Sequence, residues 1–384
     1  MSPSTQVTEQ CFDTIVIGGG IAGVSIAYEL SDRQSVAILE QESTLAYHTT
    51  GRSAAMYLQS YGNSPVRALT RASREFFLDP PDGFDIPVWS PMLLLFTAGA
   101  DAVDALRALH AEIGDSGTTE LIDPAVAEEL NPLLRPGYTH LAMTDTGAME
   151  LDVHALHQGY LRGFRRRHGT VVKSAQLARG HRDRSGWVLR DTAGRTFRAA
   201  TVVNAAGAWC DEVAQALGAR PIDIRPLRRT AFMVPAPPGA PTGLPITMEA
   251  TEAFYFKPEG AQFLCTPADE TRQPPGDAKP DELEIARAIE MLNEATLLGI
   301  KTVSSAWAGL RNFTADRTPV VGFAPDCDGL FWYAGQGGYG IQSAPAMARL
   351  ATALITGESV SDGDLLDGAT TAALAPDRVA LAHR

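Results

Sequence analysis

FDTIVIGGGIAGVSIAYELSDRQSVAILE, residues 12–40, is the stretch whose reading decides the fold. It predicts a strand over Phe12–Ile17, a glycine turn at Gly18, Gly19 and Gly20, a helix over Ile21–Leu30 and a second strand over Ser35–Leu39. Gly18, Gly20 and Gly23 form G-x-G-x-x-G, and Glu40 stands 22 residues beyond the first of them. Each part has a task in holding a dinucleotide. Gly18 permits the tight turn, Gly20 lets backbone approach a pyrophosphate, and Gly23 lets the helix pack close to the strand. Ile21 and Ala22 open that helix, whose N–H groups and partial positive charge suit phosphate. Glu40, at the end of the second strand, can accept hydrogen bonds from both hydroxyls of a ribose. Glycine turns also join ordinary strands to helices, but here strand, helix and acid coincide at the right spacing. The site is one for a dinucleotide; whether FAD or NAD fills it is decided elsewhere in the chain.

Outside this stretch, 384 residues suggest two or three domains with ample length for a large core. Hydrophobic residues at 45% and charged residues at 20% are ordinary for a soluble globular protein. A net charge of −13 argues against nucleic acid as a partner and against a strongly basic membrane-facing surface. The one basic run, Arg162 with Arg165–Arg167, reads as a solvated helix end. Residues 1–11 are polar, lack a signal-peptide core and read as a frayed terminus. No apolar run reaches the ~18 residues needed to span a bilayer. Cys11, Cys210, Cys265 and Cys327 are scattered without a C-x-x-C pair, as expected of reduced thiols. The expected location is cytoplasmic, with the inner-membrane surface as the alternative.

Along the chain, a polar loop from Gln41 to Gly51 leads through Arg52 and Ser53 to a helical start at Ala54. A helix over Val66–Leu78 ends where Pro80 and Pro81 forbid continuation. Met92–Phe96 reads as a buried strand, and Asp101–Ile113 and Pro124–Leu130 as surface helices. Asp152 caps a helix over Val153–Arg167, on which His154 and His157 sit three apart. They have no third ligand nearby and read as structural, so no metal site is expected. Val171–Leu177, Trp187–Asp191 and Phe197–Arg198 read as an antiparallel meander turning at Ser185-Gly186 and Ala193-Gly194. Thr201–Asn204 is a buried strand entering Ala205-Ala206-Gly207, followed by a helix from Cys210. Between Pro221 and Pro280 proline and glycine are dense, and short strands (Arg229–Val234, Ala253–Lys257, Gln262–Thr266) alternate with turns. Asp281 caps a helix over Glu282–Leu298. Leu330–Ala334 is a strand, Gly335–Gly340 a second glycine-rich turn, and Ile341–Ile355 a helix with Pro345 in its first turn. The alanine-rich tail after Gly357 reads as peripheral. The fold class is therefore α/β, a Rossmann-like nucleotide domain in three pieces (12–83, 146–220 and 306–384). A second, α+β domain on an antiparallel sheet (84–145 and 221–305) is expected to bind substrate.

The segments YHTTGRSAAMY (47–57), VRALTRASREFF (66–77), DVHALHQGYLRG (152–163), VVNAAGAWCD (202–211), WAGLRNF (307–313) and GQGGYGIQ (335–342) span nearly the whole chain. Together they resemble the FAD-dependent D-amino-acid oxidase superfamily, with glycine oxidase and sarcosine oxidase. Within it, they are most similar to the bacterial D-arginine dehydrogenase type of broad-specificity D-amino-acid dehydrogenase. The resemblance implies FAD rather than NAD, because the second glycine turn matches one that lies beside the flavin ring. A helix entrance there stabilises negative charge arriving on the flavin pyrimidine. Gly337, Gly338, Tyr339, Gly340 and Ile341 fall on that turn. Gly51, Arg52 and Ser53 match a loop on the flavin side, Val172 a backbone contact to adenine, and Ala206 and Gly207 the second phosphate-side turn. Gln41 and His48 come close to the cofactor by the same resemblance.

The resemblance also implies oxidation at Cα, with hydride passing to flavin N5 and a fixed cation holding the substrate carboxylate. Arg311 matches that cation, and its planar fork suits a carboxylate. Tyr255 and Arg229 match further substrate contacts, Gly338 lies beside them, and Tyr61 matches a tyrosine on a mobile loop that closes over substrate. Two departures matter. Met56 stands where the family carries a histidine, and no acid stands in Ser90-Pro91-Met92-Leu93-Leu94, where a D-arginine-preferring relative has one. An apolar pocket of methionine and leucine is expected, favouring uncharged D-amino acids. No lysine stands in Gln262–Cys265, where oxygen-activating relatives carry one, and no cysteine stands near Arg311 to tether the flavin. Noncovalent FAD passing electrons to a quinone or dye follows. The alternatives are oxidation of N-methylated amino acids, glycine or 2-hydroxy acids, an NAD-linked dehydrogenase, and a flavin-binding scaffold without catalysis.

Overall fold

The structure is a computed structural model that describes residues 10–81, 83–84, 86–114, 117–358 and 366–380. Most of the frayed N-terminus expected above, and residues 359–365 and 381–384 of the tail, lie outside those residues.

The strand Gln10–Ile17 is the centre of an eight-stranded sheet. It pairs in parallel with Val36–Leu39 on one side and Thr196–Asn204 on the other. Thr170–Val172 continues the parallel set beyond Val36–Leu39, and Leu330–Ala334 lies beyond Thr196–Asn204. In space the parallel strands run third, second, first, fourth, fifth, so the order reverses between Gln10–Ile17 and Thr196–Asn204. A crevice opens there at the carboxyl ends of the strands, where such sheets bind ligands. Val36–Leu39 is buried at every position, as a parallel strand covered on both faces must be. Helices Ile21–Leu30, Ser64–Leu78, Val153–Arg166 and Gly340–Thr356 cover one face, and Cys210–Ala216 with the meander covers the other. Gly23 shows why the first helix lies so close: a Cβ there would fall 1.8 Å from the Gly18 carbonyl oxygen.

Several elements depart from the sequence reading. Val171–Leu177 is not one strand of the meander. Thr170–Val172 joins the parallel sheet, the chain bends at Ser174 (φ 50°), and a new strand starts at Leu177. The apolar run hides that bend. Phe197–Arg198 and Thr201–Asn204 are one strand, paired antiparallel with Gly186–Asp191 at its start and parallel with Leu330–Ala334 at its end. No helix starts at Ala54. Thr50–Arg52 is a single 3₁₀ turn, and Met56–Tyr57 pairs with Met149–Leu151 in a small sheet completed by Trp89–Pro91. The strand expected at Met92 begins at Leu94. Pro345 sits inside its helix, beyond the first turn. Lacking an N–H, it interrupts the ladder, and the next N–H, of Ala346, donates to Ser73 Oγ at 3.1 Å. The tail also returns: Leu366 and Leu374 are buried in the core.

The second large sheet has nine strands, mostly antiparallel, with one parallel pairing of Leu94–Ala98 and Ile246–Glu249. Segments 84–145 and 221–305 both contribute to it. So does Ser305–Phe313, which the sequence reading assigns almost wholly to the nucleotide part but which pairs along its length with Arg225–Pro235.

Candidate active site

One face of the nine-stranded sheet is set by register. Arg311 lies opposite Leu227, and Gly309 opposite Arg229, on the antiparallel pair. Since side chains alternate along a strand, Arg229, Ala231, Gly309 and Arg311 share a face. On the same sheet Tyr255 lies opposite Met248. All six line a single cavity of about 300 Å³, whose other wall is the crevice of the parallel sheet: Gly18, Gly20, Ile21, Ala22, Glu40, Gln41, Ala206 and Gly207. Sheet register thus gathers residues from 229 to 311 that no local motif connects.

Arg311 is 9% exposed. Its Nη2 donates to Tyr61 Oη at 2.6 Å and its Nη1 to Glu270 Oε1 at 3.3 Å. The second glycine turn is pinned beside it, because Gly337 N–H donates to the Asn312 carbonyl at 2.8 Å. A Cβ on Gly338 would fall 1.7 Å from Arg311 Nη2, so only glycine leaves the guanidinium its place. Arg229 Nε donates to the Asp269 carbonyl at 3.1 Å. Burial, with Arg311 beside it, pulls the Arg229 pKa below its ordinary value. Burial pushes the Tyr255 phenol up, partly offset by the two arginines.

At the opposite end, Glu40 Oε2 accepts from Gly19 N–H at 2.7 Å and Oε1 from Glu42 N–H at 2.8 Å. Burial raises its pKa against those two bonds. Thr50 Oγ1 accepts from Ile21 N–H at 3.0 Å. Neither the helix from Ile21 nor that from Gly340 has an acidic residue in its first turn or a cap bond from its own N-cap side chain, and both entrances reach the cavity. Two helix entrances free of acidic residues, with the Glu40 carboxylate at the end of the second strand of the parallel sheet, make a cavity that fits an adenine–flavin dinucleotide.

The remaining expectations divide. Tyr61, Tyr255, Arg229, Arg311, Gly338, His48, Arg52, Ser53, Gly337, Gly340 and Ile341 line the cavity. Gly23, Gly51, Val172 and Tyr339 are not among its lining residues. Gly23 and Gly51 serve close backbone approach, the latter 2.2 Å from the Ala46 oxygen if given a Cβ. The Val172 carbonyl accepts from Glu40 N–H at 2.9 Å, and Ala175, Gln176 and Leu177 reach the cavity instead. Tyr339 packs edge-on against Tyr61 and Phe313. The Arg52 guanidinium turns to the carbonyls of Ala278 and Ala308 and to Asp277, so it fastens the loop. His48 contacts Glu42 Oε1 at 2.9 Å and packs against Trp209 with the rings tilted at 49°.

The expected Met92–Leu94 wall is not there. Leu94 is buried in a core cluster, and Met56, Leu58 and Met248 supply the apolar lining. An acid does reach this part of the cavity: Glu252, 3.3 Å from Tyr61 Oη, on a loop residue with φ 60°. Sequence gave no signal for it, since it stands in a turn between strands. His157, read from the sequence as structural, is buried behind the first glycine turn. Its Nε2–H donates to the Gly19 carbonyl at 3.0 Å, whereas His154 is exposed. Lys257 is bound to Glu150 and to Glu259 (2.6 Å) and does not line the cavity. None of the four cysteines lines it.

Comparison with known proteins agrees with this arrangement. The sequence pattern of the family described as DAO, FAD dependent oxidoreductase, matches residues 13–354. Glycine oxidase of Geobacillus kaustophilus (strain HTA426) is 26% identical over 359 residues, covering 90% of this chain and 93% of that protein. The crystal structure of glycine oxidase from Geobacillus kaustophilus superposes with a TM-score of 0.79 at 22% identity, covering 94% of this chain and 99% of that one. That of L-proline dehydrogenase from P. horikoshii gives 0.81 at 20% identity, covering 97% and 99%. With two glycine-lined helix entrances and a buried arginine meeting in one cavity, the chain belongs to the DAO family of FAD-dependent oxidoreductases, and its cofactor is FAD.

Proposed function

We propose that this enzyme oxidises neutral D-α-amino acids, giving 2-oxo acids after hydrolysis, and passes the electrons to a quinone-like acceptor. The observation that carries the reading is Arg311: a buried guanidinium held against the Gly337-Gly338 turn, with Arg229 and Tyr255 on the same sheet face. Bound FAD supplies the acceptor for the Cα hydrogen. The protein holds the carboxylate on Arg311, with Tyr61 Oη the group that a carboxylate oxygen displaces or joins at Nη2. Met56, Leu58 and Met248 offer an apolar, adaptable surface to the side chain. Glu252 is exposed at the rim, where solvent weakens its pull on a cationic side chain. The D series is favoured by the resemblance of residues 47–57, 152–163 and 307–313 to D-amino-acid dehydrogenases.

A dehydrogenase is favoured over an oxidase because Lys257 is committed to two carboxylates away from the cavity. Noncovalent FAD is favoured because no cysteine reaches it. A second reading, oxidation of glycine or its N-methylated forms, draws on the likeness to glycine oxidase. Anaerobic mixing with a panel of D- and L-amino acids, glycine, sarcosine and 2-hydroxy acids decides between them. Flavin bleaching is expected with apolar D-amino acids first. A higher kcat/KM for D-Arg, or bleaching by sarcosine alone, overturns the substrate assignment; rapid peroxide formation in air overturns the acceptor assignment.

A further inference from the structure

Glu270 does not line the cavity, yet its carboxylate touches two of the arginines that do, Arg311 and Arg229. Oε1 accepts from Arg311 Nη1 at 3.3 Å and from Arg229 Nη2 at 3.2 Å. From the other side Arg317 clamps the same carboxylate, Nη2 to Oε1 at 2.7 Å and Nη1 to Oε2 at 2.9 Å. Arg317 is itself seated over the Phe313 ring at 3.9 Å. The three guanidinium groups hold Glu270 ionised, outweighing the burial that would raise its pKa.

Two consequences follow for substrate binding. Glu270 occupies one edge of Arg311 and one of Arg229, so Arg311 turns Nη2 toward Tyr61 and Arg229 keeps Nη1. Glu270 also fixes the charge. Arg317 stands outside the cavity with its side chain 43% exposed, where solvent screens it, so Arg311 and Arg229 against one carboxylate leave about one positive charge for a ligand, which a single substrate carboxylate balances. A second ligand carboxylate would be desolvated without a partner, which is costly.

We propose that Glu270, clamped by Arg317, is a charge-setting positioning residue that restricts the site to monoanionic substrates and turns away dicarboxylates. The inference rests on the reading of this cavity as a carboxylate-binding site, and it goes beyond that reading by naming what selects the charge class. The energy of a fixed charge scales with ligand charge, so its removal should help a dianion by roughly the square of the factor it gives a monoanion.

Calorimetric titration of the FAD-loaded protein with propionate and with succinate, both ionised at about pH 8, tests this. In Glu270→Gln, which keeps the shape and one acceptor, propionate should bind about 3-fold tighter and succinate about 10-fold tighter. In Arg317→Met, which keeps bulk over Phe313 but leaves Glu270 to draw on Arg311 and Arg229 alone, both should bind more weakly. A merely structural role predicts weaker binding in both variants. That result, equal gains for the two anions in Glu270→Gln, or no binding to any variant overturns the proposal. The measurement needs no turnover. An inert substrate panel with this binding pattern would sink the proposed reaction and leave the role of Glu270 standing; bleaching with unchanged affinities would do the reverse.

Discussion

Arg311 combines two properties that rarely coincide, burial and a nitrogen left facing a cavity. Nη1 is committed to Glu270 and Nη2 to a phenol that a ligand oxygen can replace, so the guanidinium is pre-organised rather than searching. Arg311→Ala should lower kcat/KM by about 30-fold to several-thousand-fold, the ~2–5 kcal/mol lost when one partner of a desolvated charge pair is removed. Steady-state kinetics with the best substrate of the panel check this, and a loss under tenfold would count against the assigned role. His157 gives a pH prediction. Burial depresses its pKa below the ordinary 6.5, only partly offset by its bond to the Gly19 carbonyl. The unfolded chain therefore binds a proton that the folded chain refuses. Its contribution to stability is full above pH 6.5 and is lost as pH falls through the depressed folded value. His157→Gln can still donate to Gly19 without titrating. Thermal denaturation should show a flatter fall in Tm for this variant between about pH 6.5 and 5 than for the wild type.

The element that most constrains the cofactor is the strand–turn–helix of residues 10–30. The Gly18 oxygen and the Gly23 Cα approach so closely that even a methyl group has no room. The obstacle is backbone, which cannot rotate away as a flexible side chain would. Gly23→Ala should push the helix Ile21–Leu30 off its strand, moving its N-terminus from the phosphate site. Expected outcomes are a lower Tm and protein purified with little flavin absorbance. Full flavin content with an unchanged Tm would show that this contact carries less than the geometry indicates. The helix Gly340–Thr356 solves a different problem. Pro345 breaks its ladder, and Ser73 of a neighbouring helix takes the Ala346 N–H, so a local fault becomes a tertiary contact.

For the whole molecule, the cofactor cavity lies between two sheets built from interleaved pieces of chain. Gly18 and Ala206 face it from one sheet, Arg229, Tyr255 and Arg311 from the other. A ligand touching both should stabilise the fold as a unit. Removal of FAD is expected to lower Tm, and added FAD to restore it, the bound form being stabilised by ~2.7 kcal/mol at a hundredfold excess over Kd. Differential scanning calorimetry across an FAD titration reads this, and a Tm independent of FAD would contradict a cofactor seated between the sheets. The ion pair of Lys257 with Glu150 also crosses between elements, tying the large sheet to the small one that carries Met56.

Sequence by itself determined the nucleotide half of the protein. Its signals are local there: glycine spacing within one turn, a buried parallel strand read as an unbroken apolar run, and an acid at the end of the next strand. The starts of the capped helices were likewise legible, Val153 after Asp152 and Glu282 after Asp281, because capping is decided by near neighbours. Arg311 and Tyr255 could be named from sequence only through resemblance. Their meeting is a matter of register between strands far apart in the chain, and no local pattern encodes it. For the same reason tertiary structure alone disclosed Glu252 at the rim, Glu270 behind the arginines, and Leu58 and Met248 as the partners of Met56 in the apolar wall. Local chemistry specifies a turn, a cap or a strand; only the packed sheets decide which distant side chains share a cavity, and with them the charge it accepts.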